Sequence, residues 1–427
     1  MKKLLYIVVG EISTGELSIA LSFESNLDKE KYCSHFIVPE GKTGVIGKDT
    51  TFQTFTISRE KSRAENREFL LNLIKEEQYD LILLFDVFIF EYAQGWTGLN
   101  MEDLLELGIP VMSLDEYEYT KAGYQLDYYG MFSKKLPPLL EQCDYVIKNC
   151  PLTMTTGPED SLWQGEKKNE FYYRIFNHRE RVSDKVRQEI REKYAKADSE
   201  SKVVFLTTSQ WEMQGAYSFA AQNRLMKWIG LMVFEYLKLL DEDITLLHVG
   251  CSVDNIPEKE GKVRYIHYDG LPVNEFEQVL QSVDLYVTFN LVSITLSKAI
   301  MFGIPSLVFN NEKIIDYARL ERKVQQMPEW YQEMARDVKK VYPFKASMFG
   351  WNHFLKTVLE DNPYVETFER VEFFSIRKTV EKLRCMLYEE SLRDEIKEKN
   401  EKFISQYESL LNSNEILNAI FQNKEEG

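Results

Sequence analysis

The residues of this chain that could do chemistry sit immediately after short apolar runs. Gly10-Glu11-Ile12-Ser13-Thr14-Gly15 follows Leu4 to Val9, Asp86 ends the run Leu81 to Phe85, and Asp115 ends Val111 to Leu114. Further on, Thr207-Thr208-Ser209 follows Val203 to Leu206, and Gly250-Cys251 follows Ile244 to Val249. Tyr268-Asp269-Gly270 follows Val263 to His267, and Asn290 to Thr295 follows Asp284 to Phe289. In open parallel sheets, ligands bind beyond the carboxyl ends of the strands, where free N–H groups at helix N-termini favour anions. The four later segments are rich in small polar residues, which suits a phosphorylated small ligand.

The familiar phosphate and nucleophile fingerprints do not fit. Gly10 to Gly15 lacks the central glycine of a dinucleotide fingerprint. Gly41-Lys42-Thr43 and Gly47-Lys48-Asp49 have no glycine five residues before their Gly-Lys pair, and Asp49 stands where a P-loop needs Ser or Thr. Asp241-Glu242-Asp243 lies between a helical and a strand pattern and reads as a solvated turn rather than a metal motif. No GxSxG elbow is present.

The elements that must position these residues alternate. Leu4 to Val9, Tyr32 to Val38, Phe52 to Ile57, Leu81 to Phe85, Val111 to Leu114 and Tyr145 to Lys148 read as strands. Glu16 to Leu27, Arg59 to Glu77 and Met101 to Leu107 have helical apolar spacing, and Leu139 to Cys143 closes a helix. Continuous β-branched and apolar runs separated by helices predict a parallel sheet covered on both faces. A second series follows: strands at Val203, Ile244, Val263, Asp284 and Pro305, and helices over Ala216 to Leu240, Asn274 to Ser282 and Thr295 to Phe302. The expected division is a Rossmann-like domain over 1–150, a crossing over 151–200, a second Rossmann-like domain over 201–312 and a helical extension over 313–427. An aromatic patch interrupts that extension, with Tyr342-Pro343-Phe344, Trp351-Asn352-His353 and Asn362-Pro363-Tyr364. It reads as a hydrophobic clasp or as a ligand wall.

Composition narrows the function classes. The chain has 427 residues and a net charge of -16 from 68 acidic and 52 basic residues. That balance excludes a general phosphate-backbone binder, which needs basic patches. No run approaches the roughly 18 apolar residues of a membrane span, and the apolar start after Met1-Lys2-Lys3 meets Gly10-Glu11 too soon for a signal peptide. Five scattered cysteines form no CxxC pair. A reducing cytoplasm is the expected location.

The stretch Val263 to Asn311 carries the most information. It holds Val-Arg-Tyr-Ile-His-Tyr-Asp-Gly-Leu-Pro, then Asp284-Leu-Tyr-Val, then Thr295-x-x-Lys298-Ala299-x-x-x-Gly303-x-Pro305. With Arg191-Glu-Lys-Tyr-Ala upstream and His248-Val-Gly250, it resembles the nucleotide-sugar-binding half of glycosyltransferases of the two-domain GT-B fold. The resemblance spans roughly 180–312 and the earlier residues only by pattern. It implies two doubly wound α/β domains facing across a cleft and a nucleotide sugar as substrate, with no cofactor and no metal. The expected partners are this donor and an unidentified acceptor, with a protein partner or a homodimer left open and no nucleic acid.

Carried over by position, the resemblance sets Thr207, Thr208 and Ser209 under the donor diphosphate, with Gly250 admitting close backbone approach. It sets Tyr268, Gly270 and Leu271 around the base. Asn290 to Ser293 and the helix from Thr295 would hold phosphate oxygens, and Asn311 and Glu312 would meet the transferred sugar. The chain departs from the family at two places. Lys298 stands where the family has an acidic residue on the ribose, and lysine accepts no hydrogen bond, so it would pair with phosphate instead or remain a surface charge. No histidine occupies the first-domain loop, which leaves Glu11, Asp86 or Asp115 to take the acceptor's proton. The plainer roles are a helix cap for Glu11, a solvated strand end for Asp115, and core packing for His248, His267 and Cys251. Two other functions stay open: a catalytically silent GT-B-like protein that binds another glycosyltransferase, and a sugar-nucleotide epimerase, which would need several charged residues to converge.

Overall fold

The computed structural model describes residues 1–11, 15–44, 46, 51–115, 118–119, 138–149, 169–176, 181–195, 201–208, 225–252, 256–311, 315–339 and 355–425. Its described residues form two compact units. The first takes the chain up to Phe176 and again from Ser405, and the second takes Arg181 to Ile404.

The first unit is built on a seven-stranded sheet in the order β3-β2-β1-β4-β5-β6-β7. Its strands are β1 (Lys2–Ile7), β2 (Tyr32–Pro39), β3 (Gln53–Ile57), β4 (Leu81–Leu84), β5 (Val111–Asp115), β6 (Tyr145–Asn149) and β7 (Glu170–Tyr173). Every pair is parallel. Leu4 to Val9 and Leu81 to Phe85 are almost wholly buried, as expected of strands covered on both faces. The chain winds from β1 outward to β3, then crosses to β4, so its winding direction reverses between β1 and β4.

The second unit repeats the plan with the order β10-β11-β9-β8-β12-β13-β14. Here β8 is Lys202–Thr207, β9 Ile244–Val249, β10 Lys259–Glu260, β11 Val263–Tyr268, β12 Leu285–Thr288, β13 Ser306–Asn310 and β14 Glu369–Glu372. Only the edge pair β10–β11 is antiparallel. The reversal falls between β8 and β12. The helices Ile229–Lys238 and Ile376–Tyr388 contribute Met232, Val233, Tyr236, Leu237, Leu383 and Met386 to a core that includes Leu246 of β9, Leu285 and Val287 of β12 and Phe309 of β13.

The structure divides the chain differently from the sequence expectation at three places. β7 lies inside the expected crossing yet pairs with β6 and belongs to the first sheet, while the helix Asp184–Tyr194 belongs to the second unit. The expected helical extension holds β14, whose Glu-Arg-Val-Glu pattern has one buried apolar residue, so an edge strand there leaves no hydrophobic alternation to read. From Ser405 the tail returns to the first unit. There the helix Ser413–Glu425 is tied down by Asn414 Nδ2 on the Asn26 carbonyl, Asp28 N on Asn414 Oδ1, and Tyr32 OH on Asn418 Oδ1. The helix Val87–Thr97 has no counterpart in the sequence reading. Its Val-Phe-Ile-Phe start continues the apolar run of β4, and only the Asp86 cap separates the two.

Candidate functional site

In the second unit, neighbouring β8 and β9 bring together Thr207, Thr208 and Gly250 among the residues assigned to the donor. Thr207 ends β8, and its Oγ1 lies 2.7 Å from the hydroxyl of Tyr286 on β12, across the reversal of the sheet. Thr208 is buried, and its Oγ1 donates to the Cys251 carbonyl at 3.1 Å. That uses its one hydroxyl proton, so His248 Nε2, 2.9 Å away, must donate to it. The other ring nitrogen, Nδ1, then accepts from Tyr265 OH at 2.9 Å, and Ser252 Oγ donates to Tyr265 at 2.9 Å. Each member is thereby fixed as donor or acceptor. Burial pushes the His248 imidazole down to about 3, with His267 adding to the shift, so it is neutral at physiological pH.

This network ties the loop after β8 to the loop after β9. Gly250 makes the approach feasible: its φ is +125°, and a Cβ there would collide with the carbonyl oxygen and hydroxyl of Thr208. The close approach expected at Gly250 is therefore to Thr208 itself. His248 is the satisfied core histidine of the plain reading, while half-buried His267 bonds the Gly250 carbonyl.

The turn after β12 is held internally. Asn290 Oδ1 accepts from Val292 N at 3.0 Å, and Ser293 Oγ caps the helix Ile294–Met301 by accepting from Thr295 N at 3.1 Å. Two of the N–H groups expected to hold phosphate, those of Val292 and Thr295, thus already have partners within the turn. Lys298 is ion-paired with Glu277 of the helix Val273–Leu280, which makes it neither a lone surface charge nor a cation without a counter-ion. Tyr268 ends β11, half-buried and edge-on to Tyr194 at 6.4 Å, followed by exposed Gly270 and half-buried Leu271. Asn311 is buried just after β13. Ser209 and Glu312 lie outside the described residues, as do Trp351, Asn352 and His353. The described end of the aromatic patch is a clasp: Tyr364 OH donates to the Leu291 carbonyl at 3.0 Å, and Asn362 Oδ1 accepts from Tyr364 N.

The first unit separates the three candidate carboxylates. Asp86 is the N-cap of the helix Val87–Thr97, its Oδ1 accepting from Phe88 N and Ile89 N, both at 2.9 Å. A carboxylate so held has a structural task, and the sequence could not show it without the unread helix. Glu11, after β1, is half-buried and pairs with the exposed Arg59 at 2.5 Å. Asp115 is fully buried at the end of β5, not a solvated strand end. Burial, with Glu118 nearby, pushes its carboxyl up to about 7. Lys42, the lysine of a rejected P-loop match, is also buried, and burial lowers its amine against the pull of Glu16 and Glu11. Asp241, at φ +55°, lies in an exposed turn as expected. Among the described residues no group of three His, Cys, Asp or Glu is placed to hold a metal ion, and no helix is long and apolar enough to cross a membrane.

A family model matches residues 23–427, and the chain belongs to that family, a family of unknown function (DUF6365). No curated protein matches the chain. Solved structures do match along its whole length. The glycosyltransferase VinC, solved in complex with DTDP, aligns with a TM-score of 0.53 at 14% identity, covering 100% of both chains. A ugt transferase from Siraitia grosvenorii in complex with UDP aligns with a TM-score of 0.56 at 12% identity, covering 100% of this chain and 99% of the other. A UDP-N-acetylglucosamine 2-epimerase structure from Listeria monocytogenes gives 0.54 at 12%, covering 100% of this chain and 98% of that one. With the two sheets above, these similarities establish a GT-B glycosyltransferase-like fold.

Proposed function

We propose that the protein transfers a sugar from a nucleotide-sugar donor to an acceptor hydroxyl. The observation that carries this reading is the reversal point of the second sheet. There Thr207 and Tyr286 join β8 to β12, and the capped helix Ile294–Met301 follows β12 with its N-terminus at the carboxyl end. The positive end of that helix dipole favours an anion such as a diphosphate. The DTDP and UDP bound by two structural neighbours support the same ligand class.

In this reading the second unit holds the donor and the first supplies the acceptor site. The acceptor oxygen attacks the anomeric carbon, the bond from that carbon to the diphosphate oxygen breaks, and its electron pair leaves with the nucleoside diphosphate. The hydroxyl proton passes to a carboxylate. Glu11 is the proton acceptor the geometry favours, since Asp86 is committed to a helix cap and Asp115 is sealed. Tyr268, Gly270 and Leu271 flank the base, Asn311 and Glu312 reach the sugar, and Lys298 exchanges Glu277 for phosphate when the donor binds. The reading includes no cofactor, no metal and a cytoplasmic setting.

A thermal-shift panel of UDP, GDP, ADP, CMP and dTDP, alone and as sugar conjugates, tests it. A nucleotide at a hundred times its Kd should add about 2.7 kcal/mol to native stability. Glu11→Gln should keep that shift and lose transfer. Silence across the panel at millimolar concentration would sink the proposal and favour the silent binding protein.

The UDP-N-acetylglucosamine 2-epimerase structure among the neighbours supports epimerisation as a second reading. Solvent deuterium entering the sugar of a bound nucleotide sugar, with no acceptor present, would select it over transfer.

A further inference from the structure

Tyr268, at the end of β11, is held from two sides, and only one of them is backbone. Its carbonyl accepts from Gly250 N at 2.9 Å, and the strand register pairs it with Val249 of β9. These contacts fix where the residue stands and leave its ring free to turn about the side-chain bonds. The hydroxyl supplies the second hold, through a hydrogen bond to Tyr194, the last residue of the helix Asp184–Tyr194.

Tyr194 is placed to be an anchor. It is buried, on a helix that Arg191, one turn earlier, pins to the starts of β12 and β8. The Arg191 guanidinium donates to Asp284 Oδ2 at 2.9 Å and to the Ser201 carbonyl at 3.2 Å. Tyr194 OH donates to Glu275 Oε1, on the helix Val273–Leu280, at 3.2 Å. Lys193 Nζ lies 2.5 Å from the same carboxylate oxygen and holds that carboxyl below its usual range, so Glu275 can only accept. Burial pushes the Tyr194 phenol up to about 12, with the bond to Tyr268 adding to the rise against the pull of Lys193. Tyr194 is therefore neutral at physiological pH, and its one proton goes to Glu275. The proton between the two phenols must then come from Tyr268, so the order of donation runs from Tyr268 to Tyr194 to Glu275.

That order holds the Tyr268 ring in one pose. The two rings stand edge to face, at 86° with centroids 6.4 Å apart. Turning Tyr268 out of this pose breaks the bond between the phenols, in a place largely closed to water. Half-buried Tyr268 and Leu271 bracket exposed Gly270, so the direction of the ring shapes the ledge at the end of β11. A side chain ordered before a ligand arrives spares the binding step the entropy of ordering it.

We propose that Tyr194 is a positioning residue for the nucleobase of the donor: it touches no ligand itself, and it locks the Tyr268 ring in the orientation that forms one wall of the base site. This role rests on the donor reading of the second unit, and it adds to that reading a residue that lies at no strand end.

Isothermal titration of the full chain with UDP, dTDP, GDP and ADP, and with inorganic pyrophosphate, tests the role. Tyr194→Phe keeps the ring and removes the hydroxyl, so the Kd of the preferred nucleoside diphosphate should rise about fivefold, the worth of one neutral hydrogen bond. Pyrophosphate, which has no base, should bind the variant as it binds the wild type. Tyr268→Phe removes the same bond from its other end and should cost about as much, and the double variant should lose no more than either single one. An unchanged nucleotide Kd in Tyr194→Phe, an equal loss of pyrophosphate binding, or additive losses in the double variant would each overturn the positioning role and leave the donor site standing. A wild-type chain that binds none of the nucleotides would overturn the donor reading and this role with it. Should Tyr194→Phe fail to fold, Tyr268→Phe decides: an unchanged Kd overturns the role, and a loss confined to the nucleotides supports it.

Discussion

The carboxyl ends of the two sheets solve the problem of polar groups at a buried edge in opposite ways. In the second unit, Thr208, His248, Tyr265 and Ser252 form a neutral chain in which every proton has one place to go. In the first, Asp115, Glu118, Lys148 and Glu170 form a charged group in which Asp115 Oδ2 has no hydrogen-bond partner among the described residues. A neutral, fully satisfied network is rigid and insensitive to pH. A charged, partly satisfied one stores free energy that a proton can release. The second edge is thus suited to holding a fixed anion site, and the first to titrating.

The largest effect expected from this contrast is at Gly250. Gly250→Ala places a Cβ against Thr208 at φ +125° and should lower stability by about 2–4 kcal/mol, measured by urea unfolding. A loss below about 1 kcal/mol would mean that the two loops are not locked as described.

A smaller effect, with a defined pH course, belongs to Asp115. Its folded carboxyl is raised to about 7 against an ordinary 3.8, so the native state holds a proton that the unfolded chain releases. Stability should therefore be greatest at low pH, as far as this group is concerned, and decline as pH rises from about 4 to 7. Asp115→Asn should flatten that decline and be the more stable chain at pH 8 by about 2 kcal/mol. Parallel unfolding curves at pH 5 and 8 check this. His248, neutral when folded while the unfolded chain takes a proton below about 6.5, should add an opposite loss of stability as pH falls below that value.

The smallest effect is at Lys298. Its pair with Glu277 is part-exposed, and Lys298→Ala should change stability by less than about 1 kcal/mol. The same variant should lose much of any nucleotide-induced thermal shift. A retained shift would leave Lys298 a purely structural partner of Glu277.

The sequence determined the alternation of buried strands and helices and the candidate positions at the strand ends. The reason is local: runs such as Leu81 to Phe85 and Ile244 to Val249 are β-branched and apolar enough to be buried on both faces wherever they fall. His248 was legible as a core residue for the same reason, whereas His267 on the next strand is only half-buried. What those strand ends do was decided only by tertiary structure. Asp86 became a cap because the apolar stretch after it folds as a helix against the sheet. Asp115 became a sealed acid through burial in the sheet, with Glu118 and then Glu170 of β7 disfavouring its charge against the pull of Lys148 on β6, and Lys298 found its counter-ion on a different helix. Burial and charge pairing depend on neighbours distant in the chain, and a carboxylate's role follows from those neighbours rather than from the residues beside it in sequence.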